Sequence, residues 1–340
     1  MSVGTQYKGN VGAGNRRARA LWYVEPGRAT LEAADLPEPA PGEALIKTLW
    51  SGISRGTERL VFEGRVPASE CDTMRAPFQC GAFPFPVKYG YSAVGHVEAG
   101  PQGLLGRTVF ALHPHQDFFV APSGRLNLIP ERLPARRATL AANMETALNG
   151  LWDSGAGPGD RIVVIGAGLV GLLVTALAAR LPGAEVMLVD LDASRAPFAA
   201  HFGVAFATAA EFDAAAHPPA DVVFHASASA AGLATALDCA GHEATIVEMS
   251  WYGDDQIPAP LGQAFHSRRL RLISSQVGGI MAARRPRWDY ARRMAKAIEL
   301  LADDRFDALI THDVAFADLP TALPHILRRG ADGLATAIHY

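Results

Sequence analysis

The chain has 340 residues, 49% apolar and 19% charged, enough for one large core or two domains. Its 34 acidic and 31 basic residues leave a net charge of -3, which gives no electrostatic reason to expect nucleic acid or an anionic membrane surface as a partner. Cys71, Cys80 and Cys239 are too few and too scattered for a disulfide framework, and the Gly- and Asn-rich start lacks the apolar stretch of a signal peptide. A reducing cytoplasm is therefore expected.

Residues 1–18 read as a disordered arm, with Arg16, Arg17 and Arg19 as a solvated basic cluster. From Ala20 short apolar runs alternate with turns such as Pro26-Gly27, which predicts a β-rich domain. Strands are expected at Ala44 to Trp50, Ala93 to Glu98 and Arg107 to Leu112, with an irregular aromatic insertion from Glu70 to Pro86. From about Ala138 the pattern turns helical.

Ile162 to Ile165 is a short β-branched run, and Gly166-Ala167-Gly168-Leu169-Val170-Gly171 follows it as G-x-G-x-x-G. In such a loop the first glycine allows the turn, the second lets backbone approach a pyrophosphate, and the third brings helix against strand. The helix N-terminus then offers free N–H groups to phosphate. The next apolar run, from Glu185, ends in Asp190, where a carboxylate can accept the ribose hydroxyls of a bound dinucleotide. Ile162 to Ala179 carries no charge and its length would permit a membrane span. The three glycines and the continuing strand–helix alternation favour a buried strand and helix instead. Further strands are expected at Val222 to Phe224, Thr245 to Met249 and Leu270 to Ser275, then a helix from about Trp288 to Leu301 and a strand at Ala335 to Tyr340.

Three segments before the glycine loop carry a family likeness: Ser51-Gly-Ile-Ser-Arg-Gly-Thr57-Glu58, Gly90-Tyr91-Ser92-Ala-Val-Gly95 and Thr146-Ala-Leu-Asn-Gly-Leu151. In this order the chain resembles the medium-chain dehydrogenase/reductase superfamily. The resemblance implies an α/β protein with a β-rich GroES-like catalytic domain (residues 19–145 and 286–340) and a Rossmann doubly wound parallel sheet (residues 146–285). It also implies a homodimer acting on a small molecule.

The catalytic zinc ligands of the family's alcohol dehydrogenases fall on Arg55, Tyr91 and Ala142, none of which is a normal zinc donor. The structural-zinc cysteine lobe is missing too, and no familiar spacing supports another site from Cys71, Cys80, His113, His115 or Glu145. A zinc-free protein is expected. Some other group must then manage the charge on oxygen during hydride transfer.

Tyr91 is the expected proton donor or acceptor, with Arg55 favouring its phenolate and Thr57 beginning a proton relay. An aromatic filling a former metal site is the plainer reading of Tyr91, and an ion pair with Glu58 or Glu145 that of Arg55. His115, and less so His113, is a candidate proton shuttle. Glu145 is either a helix-dipole partner or a substrate contact.

By resemblance Thr146 lies under the nicotinamide, Arg195 packs against the adenosine, Ser227 lines the cofactor channel and Ser274 to Gly278 approaches the nicotinamide amide. Asp190 would repel a 2′-phosphate, so NAD is expected over NADP.

The stretch Ser51 to Pro67 is most similar to the branch containing bacteriochlorophyllide a dehydrogenase, which implies a bulky secondary alcohol or ketone, with a tetrapyrrole among the candidates. Phe78, Phe83, Phe85, Tyr89, Tyr91, Phe118 and Phe119 would line a wide flat pocket or belong to ordinary core. The rivals are an NADPH-dependent quinone or enoyl reductase and a non-catalytic dinucleotide-binding homologue.

Overall fold

The computed structural model describes residues 16–340, so the arm expected over residues 1–15 lies outside the described residues. Residues 16–18 correct the remainder of that reading. Strand β1 (Arg17–Glu25) pairs with β2 (Arg28–Asp35), and Arg17 and Arg19 alternate with buried Ala18 and Ala20. The basic cluster is thus one face of a strand, and Arg19 binds Asp117 through both its backbone N–H (2.7 Å) and its guanidinium (3.1 Å).

Strand β3 (Glu43–Ile53) runs into helix α1 (Arg55–Phe62). The irregular insertion supplies β4 (Cys80–Gly81), which with β5 (Val87–Lys88) completes a sheet ordered β2-β1-β5-β4. Strands β6 (Ala93–Ala99), β7 (Thr108–Ala111), β8 (Phe118–Pro122) and β9 (Asn127–Leu128) build a second sheet around β3. Helix α2 (Ala135–Ala138) leads into α3 (Ala141–Ser154), which Gly155 ends in the left-handed conformation.

Six parallel strands follow. They are β10 (Arg161–Ile165), then helix α4 (Leu169–Ala178), β11 (Glu185–Asp190), helix α5 (Ala196–Phe202), β12 (Ala205–Thr208), β13 (Ala220–His225), helix α6 (Ala230–Cys239), β14 (Ala240–Glu248) and β15 (Arg271–Ser274). The spatial order β12-β11-β10-β13-β14-β15 reverses direction between β10 and β13, the position at which open α/β sheets form a ligand crevice. Ile162 to Ile165 are almost wholly buried because helices cover both faces of the sheet, which accounts for the uncharged run. Among the described residues no helix is long and apolar enough to cross a membrane.

Helix α7 (Tyr290–Leu300) packs on α3, and β16 (Ile310–Ala315), α8 (Leu319–Ile326) and β17 (Ala335–His339) close the chain. β17 pairs antiparallel with β3, so the C-terminus completes the sheet begun near the N-terminus. This return sets residues 331–340 beside α1.

Candidate functional site

The glycine loop stands at the reversal point of the parallel sheet. Gly166 turns with φ 106°, and a Cβ there would lie 2.7 Å from the Ser227 nitrogen. A Cβ on Gly171 would lie 1.8 Å from the Gly166 carbonyl oxygen, so helix and strand meet only through glycine. A Cβ on Gly168, by contrast, would meet nothing within 4 Å. Gly168 caps α4, and the N–H groups of Leu169, Val170 and Gly171 in its first turn have no intrahelical acceptor. This open cradle with free donors fits a pyrophosphate.

Asp190 ends β11 beside the loop. One of its carboxylate oxygens accepts from Ala167 N at 2.5 Å and the other from Asp192 N at 2.9 Å. Each oxygen keeps a lone pair for a further donor. Arg195 pairs with Asp192 at 3.2 Å and donates to the Gly333 carbonyl at 3.2 Å, linking the two halves of the molecule. Between Ala141 and Gly150 only Thr146 is more than marginally exposed, and its hydroxyl donates to the Ala142 carbonyl at 3.0 Å. Glu145 and Thr146 are mid-helix rather than at a helix start, because α3 begins at Ala141.

Tyr91 packs against the cores of both halves. Burial and the charge of Glu58 push its phenol up to about 12, partly offset by hydrogen bonds with Ser54 and Thr57. The expected stabilisation of a phenolate by Arg55 is corrected: the guanidinium turns away to donate to the carbonyls of Ala331 (2.6 Å), Asp332 (3.1 Å) and Gly333 (3.0 Å). It pairs with neither Glu58 nor Glu145. Burial and neighbouring Arg195 lower its pKa below the usual arginine value. The polar groups collected around Tyr91 are Ser54 and Thr57, and Asn143 donates to Ser54 Oγ at 3.2 Å.

These hydroxyls and amide do not fit zinc, which takes thiolate, imidazole or carboxylate donors. Among the described residues no cluster of three or more His, Cys, Asp or Glu could hold a metal ion.

His115 is fully buried, so it has no direct contact with solvent. Its Nε2 lies 3.0 Å from Glu58, and its Nδ1 lies 2.8 Å from Ser51 Oγ, which is 2.9 Å from the Tyr340 hydroxyl. Glu58 also accepts from the Tyr23 hydroxyl at 2.9 Å and from Ser54 N at 2.8 Å. His113 stacks on Phe119 with ring centroids 3.9 Å apart, and burial lowers its pKa to about 3, so it is neutral packing rather than a shuttle.

Glu145 is bound at 3.0 Å by Arg293, a buried residue of α7 that also reaches Asn149 and the carbonyls of Val277 and Gly279. The ion pair and the mid-helix position set aside the dipole role. The expected aromatic pocket divides between two cores, with Phe119 and Phe78 in one and Tyr89, Phe83 and Phe85 in the other.

The sequence assigns no site role to Ser54, Asn143, His225, Glu248 or Arg293, and places Glu58 only as an ion-pair partner of Arg55. Ser227 Oγ lies 2.7 Å from His225 Nε2, whose Nδ1 lies 2.6 Å from Glu248. The available signal was a histidine and a glutamate ending consecutive strands, β13 and β14, where they are register partners.

D-xylulose reductase A of Aspergillus niger, in a sequence named as probable, is 29% identical over 154 residues, 44% of this chain and 43% of that protein. The chain thus spans less than half of that relative's length. The 2-desacetyl-2-hydroxyethyl bacteriochlorophyllide A dehydrogenase of Cereibacter sphaeroides is 36% identical over 86 residues, 25% of this chain and 24% of that protein. A Sinorhizobium meliloti 1021 protein solved bound to NADP shares the fold at TM-score 0.76 and 17% identity, over 96% of this chain and all of that one. An alcohol dehydrogenase from Escherichia coli CFT073 complexed with NADH does so at TM-score 0.75 and 16% identity, over 95% and 99%. With the sheet order and the glycine cradle, these likenesses show that the chain shares the fold of those two dinucleotide-bound proteins. Residues 170–302, less than half of the chain, match the family described as zinc-binding dehydrogenase.

Proposed function

We propose that the protein is an NAD(H)-dependent oxidoreductase that interconverts a secondary alcohol and a ketone on a bulky substrate without zinc. The observation that carries this reading is the open cradle at Gly168 with Asp190 beside it. A carboxylate there meets ribose hydroxyls well and a 2′-phosphate badly, which favours NAD even though one structural neighbour binds NADP. The Cereibacter relative's name supports a tetrapyrrole-like substrate, and the Aspergillus relative's name supports a polyol. The same reading makes the protein a cytoplasmic homodimer acting on a small molecule, with neither nucleic acid nor membrane as partner.

The nicotinamide, when bound, supplies or accepts the hydride. The chain's part is the proton. A phenol held near 12 is neutral at ordinary pH, so Tyr91 acts as an acid that donates to a ketone oxygen, with Ser54 and Thr57 orienting its hydroxyl. In the oxidative direction Tyr91 must first lose its proton. Ketone reduction is therefore expected to be flat between pH 6 and 9, while alcohol oxidation rises with pH over that range, as steady-state rates in both directions would record.

The test is turnover of bulky secondary alcohols with NAD in chelator-dialysed protein. Activity that survives the chelator and falls roughly 100-fold or more in Tyr91→Phe fits the proposal. Activity restored only by added zinc, or full turnover by Tyr91→Phe across pH, contradicts it. NADPH-only reduction of a quinone or enone would favour the double-bond reductase, and absence of any turnover the non-catalytic homologue.

A further inference from the structure

His225 lies inside the parallel sheet with its side chain fully buried, yet it is bonded at both ring nitrogens. Glu248 accepts from the Tyr252 hydroxyl at 2.9 Å and from Ser250 N at 2.8 Å as well as facing His225. Burial alone would raise the Glu248 pKa, but the hydrogen bond and charge interaction with His225 and the bonds from Ser250 outweigh it and hold the carboxyl below its ordinary value.

An ionised carboxylate only accepts, so Nδ1 of His225 carries a proton, and in the singly protonated ring Nε2 is then the acceptor. The Ser227 hydroxyl must then donate inward to Nε2. With the Ser227 proton directed at Nε2, the 2.9 Å contact with Ser229 Oγ is made by the Ser229 proton, while Ser229 Oγ accepts from Gly232 N at 3.0 Å. Ser227 is left with one free lone pair and no free proton.

Ser227 is partly exposed, and its backbone abuts Gly166 at the reversal point of the sheet. The packing reserves room for this arrangement. A Cβ on Gly232 would fall 2.2 Å from Ser227 Oγ and 2.8 Å from His225 Nε2.

We propose that His225 and Glu248 are positioning residues which fix Ser227 as a hydrogen-bond acceptor for a hydroxyl of the bound dinucleotide. The inference rests on the dinucleotide reading of the glycine loop and extends it to a relay that never touches the ligand.

Glu248→Gln isolates the relay. The backbone N–H of Ser250 cannot turn from the carbonyl oxygen, whereas the Tyr252 hydroxyl can rotate to accept, so the new amide nitrogen faces Tyr252 and His225 and donates to Nδ1. The ring proton moves to Nε2 and donates to Ser227, whose own proton swings into the cleft. The ligand hydroxyl must then reverse or lose its bond.

The experiment is NADH titration of wild type, Ser227→Ala, Glu248→Gln and the double variant, with ring ¹⁵N shifts of His225 as the spectroscopic signature. Ser227→Ala and Glu248→Gln are each expected to raise Kd about tenfold, and the double variant to be no weaker than Ser227→Ala. The ring should carry its proton on Nδ1 in wild type and on Nε2 in Glu248→Gln.

Should Glu248→Gln fail to fold, Gly232→Ala replaces it, because it gains helix propensity while driving a methyl into the Ser227 hydroxyl; the same loss is expected. Wild-type affinity in the relay variants, additive losses, or an Nε2 proton in wild type overturns the inference. Wild-type protein that binds neither NADH nor NADPH overturns the dinucleotide reading instead.

Discussion

Each half of the molecule joins a glutamate, a histidine, a serine and a tyrosine in one hydrogen-bonded chain, and the two chains differ in how many members are covered. In the β-rich half Glu58, His115 and Ser51 are fully covered, and only the terminal member, Tyr340, is part-buried, its phenol still raised far above its ordinary value by burial. In the Rossmann half Glu248 and His225 lead through Ser227 to the edge of the glycine loop, where the serine is partly exposed. The chemistry is nearly the same. Burial decides its use, since a closed chain has only its own donors and acceptors to satisfy, whereas an open one presents a hydroxyl of fixed direction to a ligand.

The closed chain should break hardest. Glu58→Ala leaves His115, Tyr23 and the Ser54 N–H without their acceptor, at a cost on the order of 5 kcal/mol. Urea denaturation should show that loss while the folded fraction keeps its affinity for NADH. A loss under about 1 kcal/mol would mean that solvent reaches the chain.

His113 sharpens the contrast, being buried with no carboxylate partner. Its pKa is depressed from 6.5 to about 3, so the unfolded chain takes up a proton that the folded one refuses. The contribution is complete above about 6.5 and fades as pH falls toward 3, removing roughly 3 kcal/mol by pH 4. Unfolding free energies of wild type and His113→Gln should therefore converge on acidification, and parallel curves would contradict the assignment.

The open chain should break least. Ser227→Ala is expected to cost about 1 kcal/mol or less in stability, because the histidine keeps its glutamate, with the effect appearing in cofactor affinity. A thermal melt that drops as far as that of Glu58→Ala would place Ser227 among the closed groups.

The cofactor cradle was legible because its parts are contiguous: strand, three glycines, helix and Asp190 fall within one βαβ unit. The principal strands around it were legible by β-branched runs. The four-residue strand Ala205 to Thr208 and the polar strand Ile310 to Ala315 were not, since neither has a long apolar period.

On the other side of the cleft the partners are remote in sequence. Arg55 finds its carbonyls near residue 332, Ser51 finds Tyr340, and Glu145 finds Arg293. No spacing rule joins them, so the sequence points Arg55 toward Tyr91, Glu58 or Glu145, and Glu145 toward a helix dipole or a substrate. Burial, which also cannot be seen in one sequence, reversed the expected direction of the Tyr91 shift.

The most direct test is titration of the protein with NADH and NADPH in parallel, following nicotinamide fluorescence excited through tryptophan. The account predicts NADH binding roughly tenfold or more tighter than NADPH, because Asp190 would face the added phosphate with like charge. Tighter NADPH binding, or binding of neither, would contradict it.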